Sequence, residues 1–411
     1  MIEMTGLSWA VAVGILLTQA VKWAGDALNL RSLAPAPPPG YGDVYDGDKY
    51  ARSQRYTREK TRFGYANAAA GLAVLIGFWF FGGFGALDGW TTGRTTSEMF
   101  RGLLYIGMLS FGKDALFLPF GLYGTFVIEA RYGFNRTTVK TFVLDRLKTY
   151  ALGIALGGPT LALVLWLFAR LGAHAWLWGW AAVTTFSLAL QFVAPTWILP
   201  LYNKFTPLPE GELRRAIFDL AGKLKYPLTN VFVMDGSKRS AKGNAFFTGF
   251  GRNKRIALFD TLIEKHTVPE LVAVLAHEIG HHRLGHVWKG FLLGAAQTGG
   301  MFFLLSLALR WPALFEAFGI GRMSVHAGLV VFGVLFTPAS FLLGLPLLAF
   351  SRRNELEADR YARNALGASA ALAAGLRKLS ADSLVNLTPH PFYVRLHYTH
   401  PPLVQRLKDL A

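Results

Sequence analysis

The sequence contains no cysteine, which excludes disulfides, thiol nucleophiles and thiolate metal sites. Any metal must be held by nitrogen and oxygen. Charge is scarce as well: Asp, Glu, Lys and Arg make up 16% of the 411 residues, against about 25% in typical soluble domains. Acid is scarcer than base, 25 residues against 42, for a formal net charge of +17. Apolar runs are abundant instead. With 52% hydrophobic and 14% aromatic residues and a mean hydropathy of +0.33, the composition points to an all-α polytopic membrane protein and away from a set of soluble domains.

A helix needs about 20 mostly apolar residues to cross a bilayer. Seven segments qualify, at 6–25, 66–87, 101–128, 150–170, 175–199, 289–310 and 325–350. The first is interrupted by Thr18, Gln19 and Lys22, and it lacks a basic leader and a small-residue cleavage site, so it reads as a retained span. The stretches 26–63, 122–150, 201–288 and 351–411 hold 34 Lys and Arg, while the alternate loops hold only Arg94 and Arg322. Without 201–288, too long to count in a positive-inside argument, the ratio is still 21 to 2. The amino terminus is expected outside and the carboxyl terminus in the cytoplasm. Topology thus accounts for the basic excess, and no nucleic-acid partner is implied.

The spans divide the chain into 1–200 with spans one to five, a cytoplasmic region 201–288, spans six and seven in 289–350, and a cytoplasmic tail 351–411. "LAPAPPPGYGD" reads as an extended connector, leading into a basic helix that enters the second span. Lys113 and Asp114 fall within the third span, where charges either line a polar cavity or pair with each other. The sequons at Asn135 and Asn386 lie on the expected cytoplasmic side, so neither is expected to carry a glycan. In 201–288, "PEGELRRAIFDLAGKL" has helical spacing, and "NVFVMDG", "NAFFTGF" and "KRIALFDT" read as a small sheet or hairpin, with "GRNK" as a turn.

The stretch "VLAHEIGHHRLGH", 274–286, carries four of the ten histidines. Thr267 and Glu270 form a capping box just ahead of it, with Pro269 tolerated in the first turn. Four residues apart on a helix, His277 and His281 are offset by only about 40° and can share one ion. Glu278 lies between them, placed to serve a bound water. Two neutral imidazoles and a general base are what H-E-x-x-H offers zinc. A helix with surface or satisfied histidines is the plainer alternative. His286 misses the metzincin spacing by one residue, since Leu284 and Val287 stand where Gly and His are required. The best further ligand is in "SRRNELEADRYA", 351–362, where Glu355 and Asp359 share a helix face and Glu357 points nearly opposite. Glu355 could ligate while Asp359 accepts from a histidine N–H; an ordinary charged helix end fits the spacing equally well.

With "DKYARSQRY", "FVIEARYGFNRTTVKTFVLDRLK", "PLYNKFTPL", "GSKRSAKGNAFFTGFGRNKRIALFDTL" and "HYTHPPLVQRL" added to these motifs, the chain resembles the type I CAAX prenyl protease family of integral-membrane zinc endopeptidases, the prelamin A-processing type. The resemblance implies seven transmembrane helices in a barrel around a large water-filled chamber, with the protease site at its cytoplasmic end. It implies one zinc ion per chain, held by His277, His281 and Glu355, with Glu278 activating the water and Asp359 orienting His277. It implies that Asn244, in "GNAFF", and His400, in "THPP", steady the oxyanion. "THPP" departs from a pattern in which Ser commonly precedes the His, and "KGNAF" stands where "HSNAY" is commoner. The implied substrate is a peptide cut near its carboxyl terminus, prenylated or otherwise membrane-associated; broad quality-control proteolysis and a structural zinc site are the alternatives. The membrane would be a bacterial inner membrane in a prokaryote, or of endoplasmic-reticulum type in a eukaryote. An incoming peptide is expected to add as a strand beside "RIALFD".

Overall fold

The computed structural model describes residues 3–248 and 254–411, and of the expected "GRNK" turn residues 251–253 lie outside them. Six helices are long and apolar enough to cross a membrane: Gly6–Arg31, Gly47–Phe80, Glu98–Glu129, Val139–Arg170, Gly172–Tyr202 and His286–Ala308. Val325–Leu335 and Thr337–Leu366, bent by 58°, are together long and apolar enough for a seventh. Seven apolar crossings match the hydropathy reading, with differences that proline and glycine explain.

The basic segment before the second span is helical and continuous with it, starting at the Asp46 cap, whose side chain accepts from Lys49 N–H. That helix stops at Phe80, short of the expected 87, because Gly82 turns the chain at φ 77°. The seventh span breaks at Phe336, since Pro338 has no N–H to give Val334. Wide π-type turns at Gly153–Gly157 and Ala194–Ile198 have the same origin. Pro159 and Pro200 each leave a carbonyl four residues earlier, inside these turns, without its donor.

The spans enclose their interior without filling it. In the most apolar 18-residue windows of the second and third spans only 6% of residues are buried, and in the fifth none. A solid bundle would bury the facing stripe of every helix. At membrane depth Asp114 accepts from Arg146 Nη2 at 2.9 Å and from the Tyr150 hydroxyl, both on the next span. It does not pair with Lys113, which makes no ion pair among the described residues. One end of the barrel is closed by a plug in which Trp79 stacks on Phe318 at 4.2 Å and donates Nε1–H to Ala317 O.

At the other end a second core unites distant segments: Tyr50 and Tyr56, Ile128 and Phe134, Ile217, Ile256 and Leu258, Leu275, Leu376 and Leu407. Its sheet comprises β1 (Phe205–Pro207), β2 (Leu228–Met234), β3 (Ala245–Thr248) and β4 (Lys254–Phe259), in the order β1-β2-β4-β3. β2 and β4 run parallel; the outer pairs are antiparallel. This corrects the expected docking strand. "RIALFD" forms most of β4, which is paired on both sides, so a peptide cannot add there; the edges of the sheet are β1 and β3. Two ion pairs fix this region to the spans: Arg239 to Asp145 through two hydrogen bonds of 2.7 and 2.8 Å, and Lys242 to Glu129 at 3.0 Å. Asn386 is 5% exposed, which leaves no room for a glycan.

Candidate metal centre

The motif helix, Val268–Arg283, starts at the Thr267–Glu270 capping box. It packs against Thr337–Leu366 through small side chains: Ala273, Ala276, Ala358 and Ala362 are fully buried. Gly280 lies so close to Tyr361 that a Cβ would sit 3.0 Å from its ring. This close approach carries Glu355 to the histidines.

His277 Nε2 and His281 Nε2 are 3.1 Å apart, and Glu355 lies 3.4 Å from the first through Oε2 and 3.2 Å from the second through Oε1. Ligand bonds of about 2.0–2.1 Å in a tetrahedral site put neighbouring ligand atoms about 3.3 Å apart. Two ring nitrogens and the two carboxylate oxygens of Glu355 converge at that spacing, and the buried Oε2 has no hydrogen-bond donor. Nitrogen and oxygen donors in this arrangement fit a small divalent cation such as zinc. Among the described residues this is the one group of histidines and carboxylates close enough to hold a metal.

Each histidine is held from behind. His277 Nδ1 lies 2.9 Å from Asp359 Oδ1. Arg406 clamps Asp359 with two hydrogen bonds, Nε to Oδ2 at 2.7 Å and Nη2 to Oδ1 at 2.6 Å. His281 Nδ1 is 3.0 Å from His286 Nδ1, and His286 Nε2 is 3.2 Å from Glu357 Oε2. One tautomer set satisfies this second chain when His281 Nε2 is a ligand: Nδ1–H of His281 donates to His286, whose Nε2–H donates to Glu357. Gly285, at φ 70°, turns the chain so that His286 opens the sixth span folded back on the motif helix. Glu357 thus reaches the site indirectly, although it points away from Glu355. Neither His286, Glu357 nor Arg406 was assigned a role from sequence. The signal for Arg406 is its place on the buried stripe of Leu403–Leu410, among Leu403, Leu407 and Leu410. His286→Ala should weaken metal binding by about 10–100-fold while leaving turnover at saturating metal near normal, as a competition titration against a chelator would measure.

Burial alone would lower the His277 pKa, but hydrogen bonding to Asp359 and Glu355 outweighs it and pushes the ring up to about 9. Glu278 is raised above the usual carboxylate range, chiefly by burial, with the two imidazoles opposing. It makes no hydrogen bond or ion pair among the described residues. His400, in the loop between helices Pro391–His397 and Leu403–Leu410, brings Nε2 within 3.3 Å of Glu355 Oε1. Asn244 is exposed just before β3 and its Oδ1 accepts from Ala245 N–H, which leaves the Nδ2 donor unused.

Two cavities meet at these residues, and His277, Glu278, Glu355 and His400 line both. One, of about 510 Å³, includes Asn244 and an apolar wall of Leu372, Leu376 and Leu379. The other, of about 600 Å³, reaches Gln191, Pro195 and Trp288 on the fifth and sixth spans. Successive β3 residues line them, Ala245 the first and Phe246 the second.

Known proteins share both halves of this architecture. A family profile described as "CAAX prenyl protease N-terminal, five membrane helices" matches residues 26–204, and one described as "Peptidase family M48" matches 207–411. The chain belongs to peptidase family M48. It is a membrane metalloendopeptidase of the CAAX prenyl protease 1 group. It is 37% identical over 396 residues to the CAAX prenyl protease 1 homolog of Oryza sativa subsp. japonica, covering 93% of this chain and 91% of that protein. To the human CAAX prenyl protease 1 homolog it is 31% identical over 423 residues, covering 91% and 88%. The crystal structure of S. mikatae Ste24p superposes with a TM-score of 0.94 at 30% identity, covering 99% of this chain and 100% of that one.

Proposed function

We propose that this M48 peptidase is a zinc endopeptidase that cuts membrane-associated peptides near their carboxyl termini, prenylated ones included. The observation that carries this reading is the convergence of His277, His281 and Glu355 where a cavity reaching the spans meets one reaching the soluble region. His277, His281 and Glu355 would hold the ion, which when bound supplies Lewis acidity to the attacking water and the scissile carbonyl.

The protein's own groups do the rest. Glu278 accepts the water's proton and returns it to the leaving amine; its raised pKa suits both tasks. Asn244 Nδ2 and a ring N–H of His400 donate to the charge that develops on the carbonyl oxygen. The free edge of β3 holds the peptide main chain in extended form, which demands little of its sequence. The Leu372, Leu376 and Leu379 wall receives aliphatic side chains on one side of the scissile bond, and the cavity toward the spans leads to where a lipid-modified segment can lie in apolar surroundings. The excess of Lys and Arg in the stretches on that side supports a cytoplasmic placement of this centre. On this reading the catalytic region combines 201–288 and 351–411.

One peptide offered farnesylated and unmodified to the detergent-purified protein tests the substrate, with products read by mass spectrometry. Cleavage of the farnesylated form alone, three residues from its end, is the expected result. Equal cleavage of both forms would assign the protein to general membrane quality control, and cleavage of neither would sink the reading.

Metal exchange gives a further expected outcome. A ligand ring must be neutral, and His277 in the metal-free site stays protonated up to about pH 9. Metal must therefore displace a proton, so apparent affinity should fall about tenfold for each unit the pH drops below 9. Calorimetric zinc titration of chelator-treated protein in buffers of different ionisation heat would count that proton.

A further inference from the structure

We propose that the end of the barrel opposite the metal centre carries a binding site for the phosphate of an anionic phospholipid headgroup, centred on Arg101. Arg101 is 6% exposed, and it pairs with no carboxylate among the described residues. Its Nη2 donates to Thr95 O at 3.1 Å, and its buried Nε–H has no acceptor. A buried cation without a countercharge is costly, and such groups are normally paired. A buried acid in that end of the fold, Asp88, is taken by His326, with 2.7 Å between Oδ1 and Nε2.

Arg101 lines a cavity of about 450 Å³, within the range that holds small ligands. Arg170 lines the same cavity, so two cations face it. The one carboxylate there, Glu98, is balanced by Arg322 at 3.6 Å, and both are 67% exposed. The position of the cavity favours a lipid. It is walled by the start of the third span at Arg101, the end of the fourth at Arg170, Leu309 just past the sixth, and His326 at the start of the seventh. Ends of four spans define the headgroup level of a bilayer, and Trp166, 49% exposed beside them, is an aromatic of the kind that settles there. A headgroup phosphate in the cavity would accept from the Arg101 guanidinium and from Arg170 while its acyl chains follow the outer faces of the spans.

Thermal unfolding of the full-length protein in a neutral detergent tests this with three probes: phosphatidylglycerol, diacylglycerol with the same tails, and inorganic phosphate. Phosphatidylglycerol should raise Tm by about 2–5 °C and diacylglycerol should not. Arg101→Gln should abolish the rise, and Arg170→Gln, at the mouth, should reduce it. An equal rise with inorganic phosphate alone would support the anion site and assign it to a soluble anion. Equal effects of phosphatidylglycerol and diacylglycerol, or a full rise in Arg170→Gln and Arg101→Gln, would overturn the proposal. Should Arg101→Gln fail to fold, Arg101→Lys keeps the charge and must retain the rise, and its loss there together with an unchanged Arg170→Gln counts against the site.

Discussion

Glu278→Gln should purify with the same metal content and thermal stability as the parent protein and hydrolyse peptide about 10²–10⁴-fold more slowly. The amide keeps the size of the carboxylate but cannot accept a proton from water. What makes the experiment decisive is that Glu278 has no hydrogen bond or ion pair among the described residues, so the substitution breaks neither. It lies between His277 and His281 on the motif helix yet contributes no atom to the ligand cluster. Burial also raises its pKa, so the ionised form needed for proton abstraction is lost as pH falls through that raised value, and activity should fall with it. Inductively coupled plasma mass spectrometry of the purified variant and an initial-rate assay are sufficient. A variant that lost its metal would make Glu278 part of the binding site, and one that kept its rate would require another base.

The parts of the structure that could be read from sequence are those set by local periodicity. Long apolar runs give the spans, because a bilayer demands about 20 apolar residues whatever the tertiary contacts. The Thr267–Glu270 capping box gives the start of the motif helix, and the four-residue offsets place His277 beside His281 and Glu355 beside Asp359. What sequence could not show is where these two helices meet, which depends on Gly280 and four alanines packing in three dimensions. β1 has only three residues and no pattern to find it by. The order of the sheet is equally nonlocal: β4 is followed in the chain by a helix but inserted between β2 and β3. That insertion leaves β3, and not β4, at an edge of the sheet. His400 and Asn244 entered through family resemblance alone, since nothing in their spacing links a loop histidine to an asparagine 156 residues earlier. Of the groups behind the histidines, Asp359 was legible from its helix face, whereas the others are nonlocal: His286 acts through a turn at Gly285, and Arg406 comes from the last helix.

Arg406→Leu should destabilise the metal-free protein by about 3–5 kcal/mol, the usual effect of removing one partner from a buried ion pair. Arg406 is 9% exposed, its two hydrogen bonds hold a fully buried Asp359, and its Nη2 also lies 3.8 Å from Glu355 Oε2. Leucine approximates the buried stem but leaves Asp359 and Glu355 without their guanidinium, facing only the imidazoles of His277, His281 and His400. A bound divalent cation restores positive charge at that point. Chelation should therefore lower the Tm of Arg406→Leu by more than it lowers that of the parent protein. A purely packing role for Arg406 predicts the opposite pattern, in which Tm falls by the same amount with metal and without it. Thermal unfolding of both proteins with zinc and with a chelator separates the two. If the gap between the two states widens, Arg406 is the fixed countercharge that lets a buried Asp359 stay ionised and hold His277; if it does not, Asp359 keeps its place by packing and the metal centre owes nothing to the carboxyl-terminal helix.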